Sequence, residues 1–226
     1  MVLAPLPLFP LNTPLVPGLV LPLHIFEPRY RGLVEELLAV PDEDAREFGI
    51  VAVRDGYDVD RDGMTALYPV GTATVIRQAE RLPDGRYDLV TTGTRRFRIA
   101  DVDASRPLLM GAVEFLDDSS DPADDLLAVQ VAQRFHRYRA ALSGQVPDAV
   151  EPDEDSDLPD DPTVLSYLVT AAMVLPVDER QQLLAAASTG QRLALARALL
   201  ARETALIATL AAVPALDLPG SPPSAN

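Results

Sequence analysis

Two spacings of apolar residues divide this chain. Up to about residue 118 they recur in short runs and alternations broken by Pro, Gly and Asp; beyond it they return every three to four positions. The first pattern belongs to strands and the second to amphipathic helices, because side chains alternate faces along a strand and revisit one helix face every 3.6 residues or so, about one turn. Pro7-Leu8-Phe9-Pro10 and Val20-Leu21-Pro22-Leu23 are expected as short strands with their prolines at ends or edges. Arg29 to Ala39 carries Leu33, Leu37 and Leu38 at helical spacing, with Val34 beside them and Pro41 just beyond. Phe48–Arg54 (FGIVAVR) reads as a buried strand and Val70–Arg77 (VGTATVIR) as an alternating one. Pro83-Asp84-Gly85-Arg86 has hairpin chemistry, with Gly85 free to take positive φ, and Tyr87–Thr92 follows as the partner strand. Arg96–Val102 (RFRIADV) alternates again, and Leu108–Leu116 ends this half.

In the second half, Asp121-Pro122 is expected to open a helix, with Asp as cap and Pro in the first turn. Leu127, Val131, Phe135, Tyr138 and Leu142 mark one of its faces over about five turns. Between Asp148 and Asp161 stand eight acids and no base, which predicts a solvated, mobile loop. Asp161-Pro162 repeats the start signal ahead of Val164, Leu165, Leu168, Val169 and Ala172, and Pro176 opens a short helix through Leu184. Ser188-x-x-Gln191 is a capping box that starts a long helix to about Leu210. The expectation is an α+β fold, with a β-rich unit at 1–118, a helical unit at 119–213 and a flexible tail at 214–226.

Composition narrows the chemistry. The 226 residues contain no cysteine, and all 19 basic residues are arginine. Disulfides, thiolate metal sites, a Cys nucleophile, a phosphate-loop Lys and a Ser–Lys pair are therefore excluded within them. His24 and His136 are too few for a three-histidine metal site. Net charge is −15, with 12 arginines against 19 acids up to residue 118 and 7 against 15 beyond it. Neither half offers the basic excess that nucleic acid or an anionic membrane rewards. The apolar run at 2–23 lacks a basic n-region and is broken by Pro5, Pro7, Pro10, Pro14, Pro17 and Pro22, so buried extended pieces in a cytoplasmic protein are expected rather than a leader or a membrane span.

Several pieces, taken together in order, resemble one family. PLPLFPLNTPLVPGLVLPLHIFEPRYRGLVEELL (Pro5–Leu38), FGIV (Phe48–Val51), VGTATV (Val70–Val75) and DGRYDLVTTGTRRFRI (Asp84–Ile99) are followed by DPTVLSYLV (Asp161–Val169), ERQQLLAAAS (Glu179–Ser188) and QRLALARALLARE (Gln191–Glu203). From about Pro5 to Leu210 the chain is similar to the Lon N-terminal, or substrate-binding, domain. The resemblance implies a mostly β, PUA-like pseudo-barrel followed by a helical bundle. In full-length Lon proteases this region precedes an ATPase and a Ser–Lys protease domain and helps capture substrate proteins. Without lysine the chain holds neither catalytic module, so the resemblance implies a stand-alone, non-enzymatic binding domain without a cofactor. Its partners are then unfolded or flexible polypeptides, with a separate protease or chaperone, or a second copy in a homodimer, as further partners. The alternatives are a carboxylate-based acid/base hydrolase, or RNA binding on the strength of the PUA-like likeness alone.

The stretch LPLHIFEPRY (Leu21–Tyr30) gathers His24, Glu27, Arg29 and Tyr30, the raw material of a general acid/base site. With no Cys nucleophile and only Thr13 as a nearby hydroxyl, it is expected to be architectural. Phe26 and Tyr30 would pack in the core, Glu27 and Arg29 would tie the strand-to-helix junction, and Pro28 would occupy the first helical turn. Gly93, Arg96 and Phe97 are expected as structural members of the same family pattern, with Arg95, Arg96 and Arg98 as exposed arginines on a strand. Asp58-x-Asp60-x-Asp62-Gly63 begins like a calcium loop, but Pro69 stands where a bidentate Glu is needed, so a solvated turn is expected. Asp153-x-Asp155-x-Asp157 has Leu158 in the Gly position. The pairs Asp117/Asp118 and Asp160/Asp161 are expected as exposed residues or caps, and Ser166 and Thr170 have no evident activating base. Capture of a polypeptide needs exposed apolar surface, for which Met64, Tyr68, Met173 and Val174 are the candidates, together with an open sheet edge.

Overall fold

The computed structural model describes residues 2–144 and 158–211. Most of the acidic loop expected at 148–161, and the tail expected from 214, lie outside the described residues. Six strands form one sheet: β1 (Ala4–Leu11), β2 (Val20–Ile25), β3 (Glu47–Ala52), β4 (Val70–Arg81), β5 (Tyr87–Asp103) and β6 (Met110–Phe115). Their order is β2-β5-β4-β3-β1-β6, and β6 also pairs with β5. Five strands thus close into a ring, with β2 attached along β5. Helix α1 (Pro28–Leu38) and a single-turn α2 (Val59–Asp62) sit between strands, and α3 (Asp124–Leu142), α4 (Pro162–Ala172), α5 (Val177–Ala185) and α6 (Thr189–Ala211) follow them. The fold is α+β, as expected.

Closure depends on β1 changing partners midway. Residues 4–7 run antiparallel to β6, and residues 8–11 run parallel to β3. The Leu8 N–H donates to the Leu109 carbonyl (2.9 Å), and the Leu11 carbonyl accepts from Val53 N–H (2.8 Å). Even positions therefore face β6 and odd positions face β3. The missing N–H groups of Pro5 and Pro7 fall on the side away from β6, and that of Pro10 falls away from β3, so no proline removes a ladder bond.

The expected strands Tyr87–Thr92 and Arg96–Val102 are one continuous 17-residue strand, β5. Bulges against β4 and β6 bend it around the ring, so one strand serves both sides of the closure. The ring interior is filled by Leu6, Leu8, Val51, Phe97, Ile99 and Val113. Phe97 lies over two glycines: a Cβ on Gly49 would approach its ring to 2.7 Å, and one on Gly71 to 2.5 Å. Outside the ring, α1 buries Tyr30, Leu33 and Val34 against Phe48, Ile50 and Leu89.

The helices pack around Val131, Phe135, Leu165, Val169, Leu183, Leu193 and Leu200. Helix α3 starts two residues later than Asp121-Pro122 suggested. Asp121 closes a turn instead, accepting Ala123 N–H at 2.9 Å, while the Asp124 carboxylate folds back onto Asp121 N–H at 2.9 Å. The other start signals behave as read: Asp161 accepts from Thr163 and Val164 N–H, and Ser188 Oγ accepts from Gln191 N–H. Two alanine substitutions test the glycine reading against each other. Gly71→Ala should lower stability by about 1–3 kcal/mol through overpacking against Phe97. Gly32→Ala, in α1 with open space around it, should raise stability by ~0.5–1 kcal/mol. Urea denaturation measures both.

Candidate functional site

Where the ring meets the helices, a buried ionic cluster forms around Asp118. Arg96 on β5 is 1% exposed and Arg192 on α6 is 0% exposed. Both donate to Asp118 Oδ1, at 2.7 and 3.2 Å, and the Tyr167 hydroxyl donates to the same carboxylate at 2.7–2.8 Å. The Arg96 guanidinium also reaches the carbonyls of Leu184 (2.9 Å) and Ala186 (2.6 Å) at the end of α5. A cation there satisfies orphan carbonyls and complements the negative end of the helix. Arg192 lies over the Tyr167 ring at 3.9 Å and donates to Ser166 Oγ at 2.7 Å. Burial pushes the Tyr167 hydroxyl well above its ordinary pKa, so it stays protonated and acts as a donor. Gln181 donates to the Val70 carbonyl (2.7 Å) and Arg180 to Thr13 (3.1 Å), completing the seam.

Beside this cluster opens a cleft of about 400 Å³. One wall is the segment before β2, where Thr72 Oγ1 donates to the Leu15 carbonyl (2.6 Å) and Gly18 N–H to the Gly93 carbonyl (2.8 Å). Gly93 makes this approach feasible, since a Cβ there would come within 2.7 Å of the Val16 carbonyl. The facing wall is α4, through Val164, Leu168 and Ala171, and Thr94, Asp118, Thr163 and Tyr167 supply the polar lining. Val164 is 51% exposed, and Leu19 is also open to solvent on the opposite side. The result is an apolar trough with a polar base whose donors and acceptors already serve one another.

The profile of the ATP-dependent protease La (LON) substrate-binding domain matches residues 5–202. The chain belongs to this family. It is 29% identical over 208 residues to a Lon protease of Anaeromyxobacter dehalogenans, covering 90% of this chain and 24% of that protein. It is 27% identical over 205 residues to the Lon protease of Escherichia coli K12, covering 89% and 25%. The chain thus spans about a quarter of the length of these Lon proteases. Among solved structures it is similar to a Lon N-terminal domain protein from Xanthomonas campestris (TM-score 0.61, 27% identity, 88% of this chain and 98% of that one). The N-terminal domain of the Mycobacterium avium complex Lon protease shares the fold at TM-score 0.60 and 19% identity, covering 89% and 98%.

The motif that the Lon family resemblance singled out sits elsewhere, at the junction of β2 and α1. His24 Nδ1 is 2.6 Å from Asp88 and its Nε2 accepts from Arg86 (3.1 Å), whereas Glu27 accepts from Arg29 (2.9 Å). His24 and Glu27 therefore do not form a base-and-orienter pair. Pro28 opens α1 and Tyr30 is buried against Phe9 at 4.1 Å between ring centroids. Phe26 departs from expectation: it is 61% exposed, because the chain turns into α1 before it can follow Ile25 inward. Arg96 also departs, buried rather than exposed, because its guanidinium is enclosed by the end of α5 and by Asp118. Asp118 is likewise no free surface acid; its side chain is 22% exposed and holds both arginines.

Of the expected contact residues, Met173 is buried in the helical core, while Val174 and Met64 are exposed; Tyr68 is half-buried, with Arg54 over its ring at 4.6 Å. The four do not converge on one surface cleft. Ser166 and Thr170 are buried, bonded to the carbonyls of Thr163 and Ser166. In the calcium-like segment, Asp58 caps α2 through Arg61 N–H and Asp62 accepts from Asp58 N–H, so carboxylates serve the backbone. The residues missed from sequence were Tyr167 and Arg192. Arg192 had a signal: it stands one turn before Ala196 and two before Leu200 on the buried stripe of α6, where an unpaired cation would be costly.

Removing the charge of Asp118 leaves two buried guanidinium groups without a counterion, so Asp118→Asn should cost about 3–5 kcal/mol in urea denaturation. The hydrogen bond from Arg61, with Asp58 N–H behind it, holds the Asp62 carboxyl down at about 2 against an ordinary 3.8. Its folded pKa is depressed, so its contribution is present above the ordinary value and lost as pH falls toward 2. An NMR titration of the Asp62 side chain should show that low midpoint.

Proposed function

We propose that this Lon substrate-binding domain captures unfolded or degradation-prone polypeptide segments in the cleft between Val16–Leu19 and α4, without catalysing a reaction. The observation that carries this reading is an open, mainly apolar trough, rimmed by the exposed side chains of Leu19 and Val164, in a chain of this family. Apolar side chains exposed by an unfolded segment gain by leaving water there, at roughly 25 cal/mol per Å² buried. The free edge of β2 is a poorer template. Leu19 and Leu21 bond toward β5, through Gly93 N–H and Thr91 Oγ1, so Pro22 falls among the outward positions and blunts strand addition. The net charge of −15 supports polypeptide over nucleic acid, and the setting proposed for this capture is the cytoplasm. Captured segments would be presented to a separate protease or chaperone.

Fluorescence anisotropy with one labelled model protein, chemically unfolded and native, tests the reading. The unfolded form should bind preferentially, and Leu19→Asp or Val164→Asp alone should each weaken binding about tenfold, as expected for losing one buried apolar contact. Equal failure of both forms to bind the wild-type chain overturns it.

A further inference from the structure

Helix α4 has a second cleft on its other side. It measures about 410 Å³ and is lined by Phe135, Arg139, Leu142, Leu158, Leu168 and Ala172. Leu168 lines both clefts, so the outward stripe of α4, Val164 to Leu168 to Ala172, is a ridge between two apolar pockets. Leu142, on the far rim, is 53% exposed. The two pockets differ in charge. At the first, the charge of Asp118 is already offset by Arg96 and Arg192, and the exposed acid is Asp161, which bonds the N–H groups of the lining residues Thr163 and Val164. The second instead has Arg139, whose guanidinium lies 6.0 Å from the Phe135 ring centre.

From this geometry we infer that the occupant is an extended segment laid across α4 with one large apolar side chain in each cleft. The inference rests on the capture reading above and specifies its ligand. A ridge flanked by two pockets does not seat a helix, which needs a groove. The pockets are separated by one helix, about 10–12 Å across with its side chains. An extended chain advances ~3.3 Å per residue, and only residues an even number apart point to the same side. Two residues span about 7 Å and fall short; four span about 13 Å and reach. The anchors are therefore at positions i and i+4. Charge complementarity places a basic residue near Asp161, beside the anchor in the first cleft, and an acidic one near Arg139, beside the anchor in the second.

Labelled, otherwise polar peptides with two leucines at i,i+4 or at i,i+2, and the i,i+4 peptide with its two flanking charges exchanged, are titrated by anisotropy against the full chain and its Leu142→Asp and Val164→Asp variants. The i,i+4 peptide should bind about tenfold more tightly than the i,i+2 peptide, and charge exchange should weaken it. Each variant should abolish the spacing preference. Because Leu142 and Val164 are half-exposed, circular dichroism melts should show both variants folded. Equal binding of the two spacings, with sensitivity to Val164→Asp alone, overturns the bridging inference but leaves capture in the first cleft standing. Failure of every peptide and of the unfolded model protein overturns both.

Discussion

The structure depends on one partly buried carboxylate that holds two buried arginines. Asp118 lies in the short connection between the last strand and the first helix of the helical part, and it accepts hydrogen bonds from β5, α4 and α6 together. Two guanidinium groups taken out of water would each carry a penalty of several kcal/mol if unpaired. Their shared counterion, the helix-end carbonyls beneath Arg96 and the hydroxyl of Ser166 offset it. Such a cluster is a poor source of net stability beside well-packed apolar groups. Its value is positional: Arg96 Nε and Arg192 Nη1 remain without a partner, yet the carboxylate ties β5, α4 and α6 to one point.

That positioning creates the cleft. Neither wall is a site by itself: the Val16–Leu19 segment is pinned to β5 through Gly93, and α4 is pinned by Tyr167 to Asp118. The trough exists because these two anchors fall side by side. The apolar rim is left uncovered while the polar base is fully engaged within the chain. A ligand therefore meets apolar surface without having to strip water from free charges, which suits reversible binding of varied sequences.

The ring depends on details of another kind. Phe97 fills the interior only because Gly49 and Gly71 leave room for its ring, and β1 can serve two partners only because its prolines fall on unpaired positions. These are steric and hydrogen-bonding constraints within a few residues, so they leave a trace in local sequence.

Local sequence accordingly determined the division into strands and helices, the caps at Asp161 and Ser188, the hairpin at Gly85 and the face of β5 on which each side chain lies. At His24–Tyr30 the charges have partners two residues apart or on the adjacent strand. Tertiary structure alone decided which surfaces are covered. Arg96 lies opposite Phe97, as alternation requires, but its burial follows from the end of α5 and Asp118 closing over its guanidinium. Phe26 and Met173 exchanged their expected environments for the same reason: chain direction after β2 and packing of α4 against α3 and α6 are long-range outcomes. The cleft was invisible in sequence because its walls are about 145 residues apart in the chain, from Leu19 to Val164, and no local pattern records that separation. Periodicity reports which side of an element is apolar; only packing reports whether that side meets protein or water.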